Sequence, residues 1–82
     1  MSDNKTSVAL TEYIVNRYQS MILSREETSE VLSLSIPQLD RKRKRLEGPH
    51  YLKTGPSNSK IQYLVSDIVD YLMRNRIKGD EM

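Results

Sequence analysis

The chain has 82 residues and contains no cysteine, no tryptophan and no phenylalanine. Without cysteine there are no disulfides, thiolate metal ligands or cysteine nucleophiles, a composition suited to a reducing compartment. Without Phe and Trp, the large core side chains must come from Leu, Ile, Val, Met and the five Tyr. His50 is the only histidine, so no histidine-based zinc site can be assembled, and it reads as a turn residue beside Pro49. No apolar run approaches the roughly 20 residues of a membrane-spanning helix. The opening MSDNKTS is polar and lacks the hydrophobic region of a signal peptide, so the expectation is a cytoplasmic protein without a membrane partner. Gly-x-Ser-x-Gly motifs, phosphate-cradling glycine loops and paired buried acids are missing too. Glu26, Glu27 and Glu30 read as capping and solvation of one short helix, so neither an enzyme nor a cofactor is expected.

What the chain does have is charge, unevenly placed. Hydrophobic residues make up 37% and charged residues 29%, the balance of one small folded domain. Net charge is only +2. Yet residues 36–63 hold seven cations (41, 42, 43, 44, 45, 53 and 60) against Asp40 and Glu47, a balance of +5, and the remainder stands at −3. A basic zone between acidic flanks points to a polyanionic partner, nucleic acid first.

Periodicity supplies the elements. Residues 1–7 read as a frayed tail, and Leu10, Ile14, Tyr18 and Met21 recur at helical spacing, giving a first helix over 8–20. That stripe suits core packing or contact with a neighbouring copy. Ser24 and Glu27 form a capping box for a second, short helix whose buried face is Thr28, Val31 and Leu32. Ser35 caps a third helix, with Pro37 in its first turn, where a missing N–H costs nothing. The run Arg41-Lys42-Arg43-Lys44-Arg45 lies inside that helix. It extends over 36–47, with Leu39 and Leu46 sharing a buried face and Gly48 as the left-handed terminator before Pro49. Gln38, Arg41, Lys44 and Arg45 then face away from the leucines, while Lys42 and Arg43 flank them and lay their stems along the core.

Two β-prone stretches, 51–54 and 60–64, are separated by Gly-Pro-Ser-Asn-Ser and form a hairpin in which Tyr51 and Tyr63 sit opposite each other. Cross-strand packing suits that pair better than stacking on single-stranded bases. A last helix over 66–78 opens on Ser66-Asp67, buries Ile68, Val69, Leu72, Met73 and Ile77, carries cations late, and ends at Gly79. The order is helix, helix-turn-helix over 24–47, two-stranded wing over 51–64, helix. The expected fold is mainly α with a small β-hairpin, a winged helix-turn-helix.

The major groove of B-DNA admits an α-helix, and the arginine fork matches the two acceptors of guanine. Gln38 and Arg41, near the start of the helix, are therefore the expected base readers. Lys42, Lys44 and Arg45 are expected on phosphates, and Ser35 on the DNA backbone. A plainly solvated helix face would fit a scattered charge pattern better than this one. "RKRKR" could also serve as a nuclear-import signal, but those sit in unstructured segments and this run is capped on both sides.

Residues 21–76 resemble the winged helix-turn-helix family of phage and mobile-element excisionases and AlpA-like regulators, distant relatives of the MerR DNA-binding domain. The likeness rests on the Met-Ile-Leu-Ser entry to the second helix and Leu34-Ser35-x-x-x-Leu39-x-Arg41. It continues through Gly48-Pro49-x-Tyr51-x-Lys53-x-Gly55 and Tyr63-x-x-Ser66-Asp67. It departs at Lys42, where the family often has an aromatic, and at a wing tip less basic than usual. The resemblance implies that Lys53, Ser57, Asn58 and Lys60 reach the adjacent minor groove or its phosphates. It also implies sequence-specific binding of double-stranded DNA in a bacterial nucleoid, as an excisionase (recombination directionality factor) or small transcription regulator. An integrase or recombinase is then an expected partner. One such domain reads few base pairs, so cooperative self-association along DNA is expected, with the first helix as the contact surface. The alternative is an adaptor that binds an acidic protein through its basic face and first helix.

Overall fold

The computed structural model describes residues 2–76. Four helices surround a small antiparallel sheet: α1 (Ser2–Tyr18), β1 (Ile22–Ser24), α2 (Arg25–Leu32), α3 (Ile36–Lys44), β2 (Leu52–Thr54), β3 (Lys60–Leu64) and α4 (Val65–Arg74). A single 3₁₀ turn, Pro56–Asn58, joins β2 to β3. The sheet order is β1-β3-β2, so the strand last in sequence is central. None of the described helices is long and apolar enough to cross a membrane.

The first helix starts earlier than expected. Residues 2–7 are helical rather than a frayed tail. Extending a helix that downstream packing has nucleated gains one hydrogen bond per residue fixed, so a polar segment can follow the apolar stripe. The Thr11 hydroxyl donates to the Ser7 carbonyl (2.7 Å) within this stretch. The helix stops at Tyr18, two residues short of expectation, where Gln19 turns left-handed (φ 55°). Ile14 is buried, Leu10, Val15 and Tyr18 pack around it, and α1 lies against α4. The stripe is thus core, except Met21, which is exposed.

β1 was not legible as a strand. Its three residues pair with β3 in the register Ile22↔Leu64, Leu23↔Tyr63 and Ser24↔Gln62. Leu23 and Tyr63, a directly opposed pair, are both fully buried. Ser24 then ends the strand and caps α2: its hydroxyl accepts from Glu27 N–H and the Glu27 carboxylate accepts from Ser24 N–H, both at 3.0 Å. Ser33 terminates α2 in the left-handed region (φ 57°), with its own N–H bonded to Glu30 O and Leu34 N–H to Ser29 O. Those two bonds are a Schellman closure, made here on serine rather than glycine.

Residues 33–35 therefore form the tight turn between α2 and α3. Ser35 and Gln38 make the second capping box, the Ser35 hydroxyl accepting from Gln38 N–H (3.2 Å) and Gln38 Oε1 from Ser35 N–H (2.8 Å). Leu39 points inward and is fully buried.

The end of α3 differs from expectation. The helix stops at Lys44, and the left-handed terminator is Leu46 (φ 59°), not Gly48. Leu46 N–H bonds Arg43 O (3.0 Å) and Glu47 N–H bonds Lys42 O (2.8 Å), again a Schellman closure. Pro49 is buried and Tyr51 packs beside Tyr63, so the chain must reverse before Gly48 to bring both to the core. Leu46 consequently leaves the Leu39 face and is 84% exposed.

The hairpin forms as expected, in the register Leu52↔Gln62, Lys53↔Ile61, Thr54↔Lys60. One step further along, the Tyr51 and Tyr63 rings lie 6.4 Å apart and tilted, a cross-strand aromatic contact. β3 then runs directly into α4. Leu64, not Ser66, is the N-cap, and no side chain closes it. Val65 N–H bonds Met21 O (2.9 Å), so the strand pairing with β1 carries on into the first helical residue. Val65, Ile68 and Val69 complete the core, with Leu72 and Met73 at its edge. α4 ends at Arg74 with Asn75 as its C-cap, four residues short of the expected 78, and the expected roles of Ile77, Lys78 and Gly79 lie outside the described residues.

Candidate nucleic-acid interface

The cations fall into two groups. Three arginines are ion-paired: Arg17 with Glu30 (3.6 Å), and Arg25 (2.7 Å) and Arg43 (3.4 Å) with Asp40. Among the described residues, Lys5 in α1 and Arg74 in α4 form no ion pair, and neither do six cations of the central segment, Arg41, Lys42, Lys44, Arg45, Lys53 and Lys60. All six belong to α3, its cap and the hairpin. A cation without a protein partner keeps its full attraction for an external anion.

Helix geometry orients the α3 group. With Leu39 inward, the spacing of α3 turns Arg41 and Lys44 outward, and both are exposed. Gln38, Arg41, Lys42 and Arg45 occupy one flank, where they line a shallow concavity of about 160 Å³ with Leu34 and Glu47. Lys42 is half-buried because the chain folds back beside it at Gly48. Ser35 and Gln38 are exposed, but their capping box engages the Ser35 hydroxyl and Gln38 Oε1, leaving the Gln38 amide N–H₂ to face outward contacts. The four consecutive basic residues Arg41 to Lys44 end the helix, where its dipole is negative, so α3 tolerates a charge density that would otherwise fray it.

The opposite flank of α3 faces the sheet, and Asp40 organises it. Its carboxylate receives Arg25 from the start of α2 and Arg43 from one turn on. The Arg43 guanidinium lies 5.6 Å from the centre of the Tyr51 ring, a cation–π contact that ties α3 to the hairpin. Beneath this cluster, Tyr63 Oη, Thr28 Oγ1 and Arg43 Nε are buried without a hydrogen-bond partner among the described residues. Burial pushes the Tyr63 phenol above its ordinary range, and the neighbouring Arg43 guanidinium works against that. Arg43 is therefore a strut between elements, unlike its neighbours in the run.

In the hairpin, Lys53 and Lys60 are exposed on adjacent strands. Thr54 Oγ1 bonds Gln62 Oε1 (2.7 Å) across the ladder. The tip carries three left-handed residues, Gly55 (φ 76°), Ser57 (φ 57°) and Asn58 (φ 53°). A Cβ at Gly55 would meet Lys60 Cβ at 3.3 Å, so both space and backbone favour glycine there. Asn58 N–H to Gly55 O (3.1 Å) and Ser59 N–H to Pro56 O (3.2 Å) close the turn, leaving Ser57 and Asn58 outermost. Between this hairpin and the start of α2 lies a cleft of about 480 Å³ lined by Ser24, Arg25, Glu26, Arg43, Ser59, Lys60 and Ile61.

The ten residues expected from the sequence thus divide into two surface groups. Ser35, Gln38, Arg41, Lys42, Lys44 and Arg45 lie on or beside α3, and Lys53, Ser57, Asn58 and Lys60 on the hairpin, where the register sets Lys53 and Lys60 on opposite faces of the ladder. The Asp40 cluster joins their supports. Sequence reasoning missed Arg25 and Asp40 as organisers; only contact across the α2–α3 turn reveals them. No group of His, Asp and Glu with metal-site geometry occurs among the described residues. The chain matches no protein-family model, no curated protein and no solved structure.

Proposed function

We propose that this protein is a winged helix-turn-helix module that binds double-stranded DNA sequence-specifically. On this reading it is an excisionase, or a small transcription regulator of a phage or mobile element, acting in the bacterial cytoplasm. The observation that carries the reading is the sorting of cations. On α3 and the hairpin, the cations that would face a duplex form no ion pair, while Arg43, turned toward the sheet, is held by Asp40. α2, the 33–35 turn and α3 are the helix-turn-helix, α3 the recognition helix, and the β2–β3 hairpin the wing. Arg41 and Gln38 read base edges in the major groove, Lys42, Lys44 and Arg45 hold phosphates, and Ser35 meets the DNA backbone. Lys53, Ser57, Asn58 and Lys60 follow the neighbouring minor groove. A single recognition helix spans few base pairs, so copies side by side, or a recombinase partner, supply the remaining specificity. With the inner side of α1 packed in the core, only its outer face, with Val8 and Tyr13 exposed, is left for such contacts.

Binding to a duplex selected by the wild-type protein from a randomised pool tests the reading. Affinity should fall with salt along a log–log slope of about −4 to −6, as five or six phosphate contacts require. Arg41→Ala should lose preference for the selected duplex over a scrambled one. If Arg41→Ala keeps both affinity and preference, α3 is not the recognition helix. If wild-type protein shows no salt-sensitive binding at micromolar concentration, the basic face serves an acidic protein instead.

A further inference from the structure

Leu46 combines two unfavourable features. It is a bulky residue in the left-handed region, where Cβ crowds the following carbonyl. It is also 84% exposed, the most exposed large hydrophobic residue among those described. Burial of Pro49 and Tyr51 sets the reversal at position 46, and Gly or Asn would take that left-handed backbone with less strain than Leu. The chain carries Leu there and presents it outward.

Its surroundings say what it meets. Leu46 follows Arg45 directly and lies within five residues of Arg41, Lys42 and Lys44, all without ion-pair partners among the described residues. It also walls a concavity of about 250 Å³ with Arg43, Gly48, Pro49, His50 and Tyr51. That notch has apolar walls in Leu46, Pro49 and Tyr51; its lining arginine, Arg43, is held by Asp40, and the unpaired Lys44 and Arg45 lie beside Leu46 in the chain. A nucleotide has the complementary make-up: an apolar sugar or thymine methyl beside a phosphate. Backbone strain retained at an exposed, chemically matched position is a mark of function.

We infer that Leu46 is an apolar contact residue for duplex DNA at the C-terminal edge of α3, seating a deoxyribose or a thymine methyl while the adjacent cations hold its phosphates. This rests on the DNA-binding reading above. It separates stability from binding, because the residue best for the fold at this position is not the one best for the ligand.

The test uses the full chain and the duplex selected by wild-type protein, with Leu46→Gly, Leu46→Asn and Leu46→Met. Gly and Asn suit the left-handed backbone, so both should melt higher than wild type, Gly by roughly 4 °C or more. Both should bind the selected duplex roughly 5- to 30-fold more weakly, the loss expected for one apolar contact. The salt slope should stay unchanged, since no phosphate partner is removed. Met, apolar but still strained, should bind within about threefold of wild type and gain no stability. Replacing thymine by uracil in the duplex distinguishes the two contacts. A loss seen with wild type but not with Leu46→Gly assigns the methyl, and no loss assigns the sugar. Wild-type affinity in Leu46→Gly and Leu46→Asn overturns the inference, as does melting at or below the wild-type temperature. Failure of wild-type protein itself to bind DNA overturns the functional reading instead, and is seen before any variant is made.

Discussion

Asp40→Asn is the sharpest probe of how α3 is held. The substitution keeps shape and removes charge from a carboxylate that receives Arg25 at 2.7 Å and Arg43 at 3.4 Å. Hydrogen bonds to charged groups contribute about 1.5–3 kcal/mol each when well shielded. Neither contact merits the full figure. The Arg25 side chain is 37% exposed, so solvent screens it, and the Arg43 contact is long. The asparagine carbonyl also keeps one acceptor. A total loss of about 1–2 kcal/mol follows, or a fall in melting temperature of roughly 5–15 °C for a domain of this size. Thermal and urea denaturation would measure it. A double-mutant cycle with Arg25→Met should return coupling of about 1 kcal/mol, because the two side chains are in direct contact. On the proposed DNA-binding reading, duplex affinity supplies a second readout of opposite sign. Removing an anion and releasing Arg25 should tighten non-specific binding and steepen the log–log salt slope by up to about 1. A stability change within about 0.5 kcal/mol, the range of ordinary surface substitutions, would refute the role of Asp40 as organiser.

Two further outcomes test the interior. Tyr63→Phe should be neutral or stabilising by up to about 1 kcal/mol, since the hydroxyl it removes is buried without a partner among the described residues. The wild-type phenol is raised by burial, so its contribution to stability is complete below about pH 10 and is lost as pH climbs through the folded value. Tyr63→Phe should accordingly flatten the alkaline limb of melting temperature against pH. Ile14→Ala should destabilise by about 2–5 kcal/mol in urea denaturation, as for other buried aliphatic residues. A loss under about 0.5 kcal/mol would mean that α1 is an appendage rather than core.

The parts legible in the sequence were those specified locally. The Ser24–Glu27 capping box and the Ser35 N-cap are local signatures, and both formed, with Gln38 completing a second box that had not been read from the sequence. The hairpin declared itself by five turn residues between two β-prone stretches, and its register put Tyr51 beside Tyr63 as read. β1 was not legible, because three residues carry no period and the strand exists only through pairing with residues about forty positions away. The end of α3 was misread because a Gly-Pro pair is the stronger local signal. What overrode it was the demand to bury Pro49 and Tyr51, which is set elsewhere in the chain. The same limit applies to the basic run. Composition marks five adjacent cations alike; helical spacing set Lys42 and Arg43 beside the leucines, and the packed structure then shows Arg43 alone of the five held by Asp40 and Tyr51.

The junction of β3 with α4 has a consequence for recognition. β3 is paired on both edges and passes into α4 with no intervening loop, and Val65 is tied back to Met21. The hairpin is therefore anchored at its base by the same residues that form the core, and only its tip projects as an arm. A partner meeting this arm finds its path already set, so little conformational entropy remains to be lost on association. Whatever the hairpin touches, its angle to α3 is decided when the protein folds, not when the partner arrives.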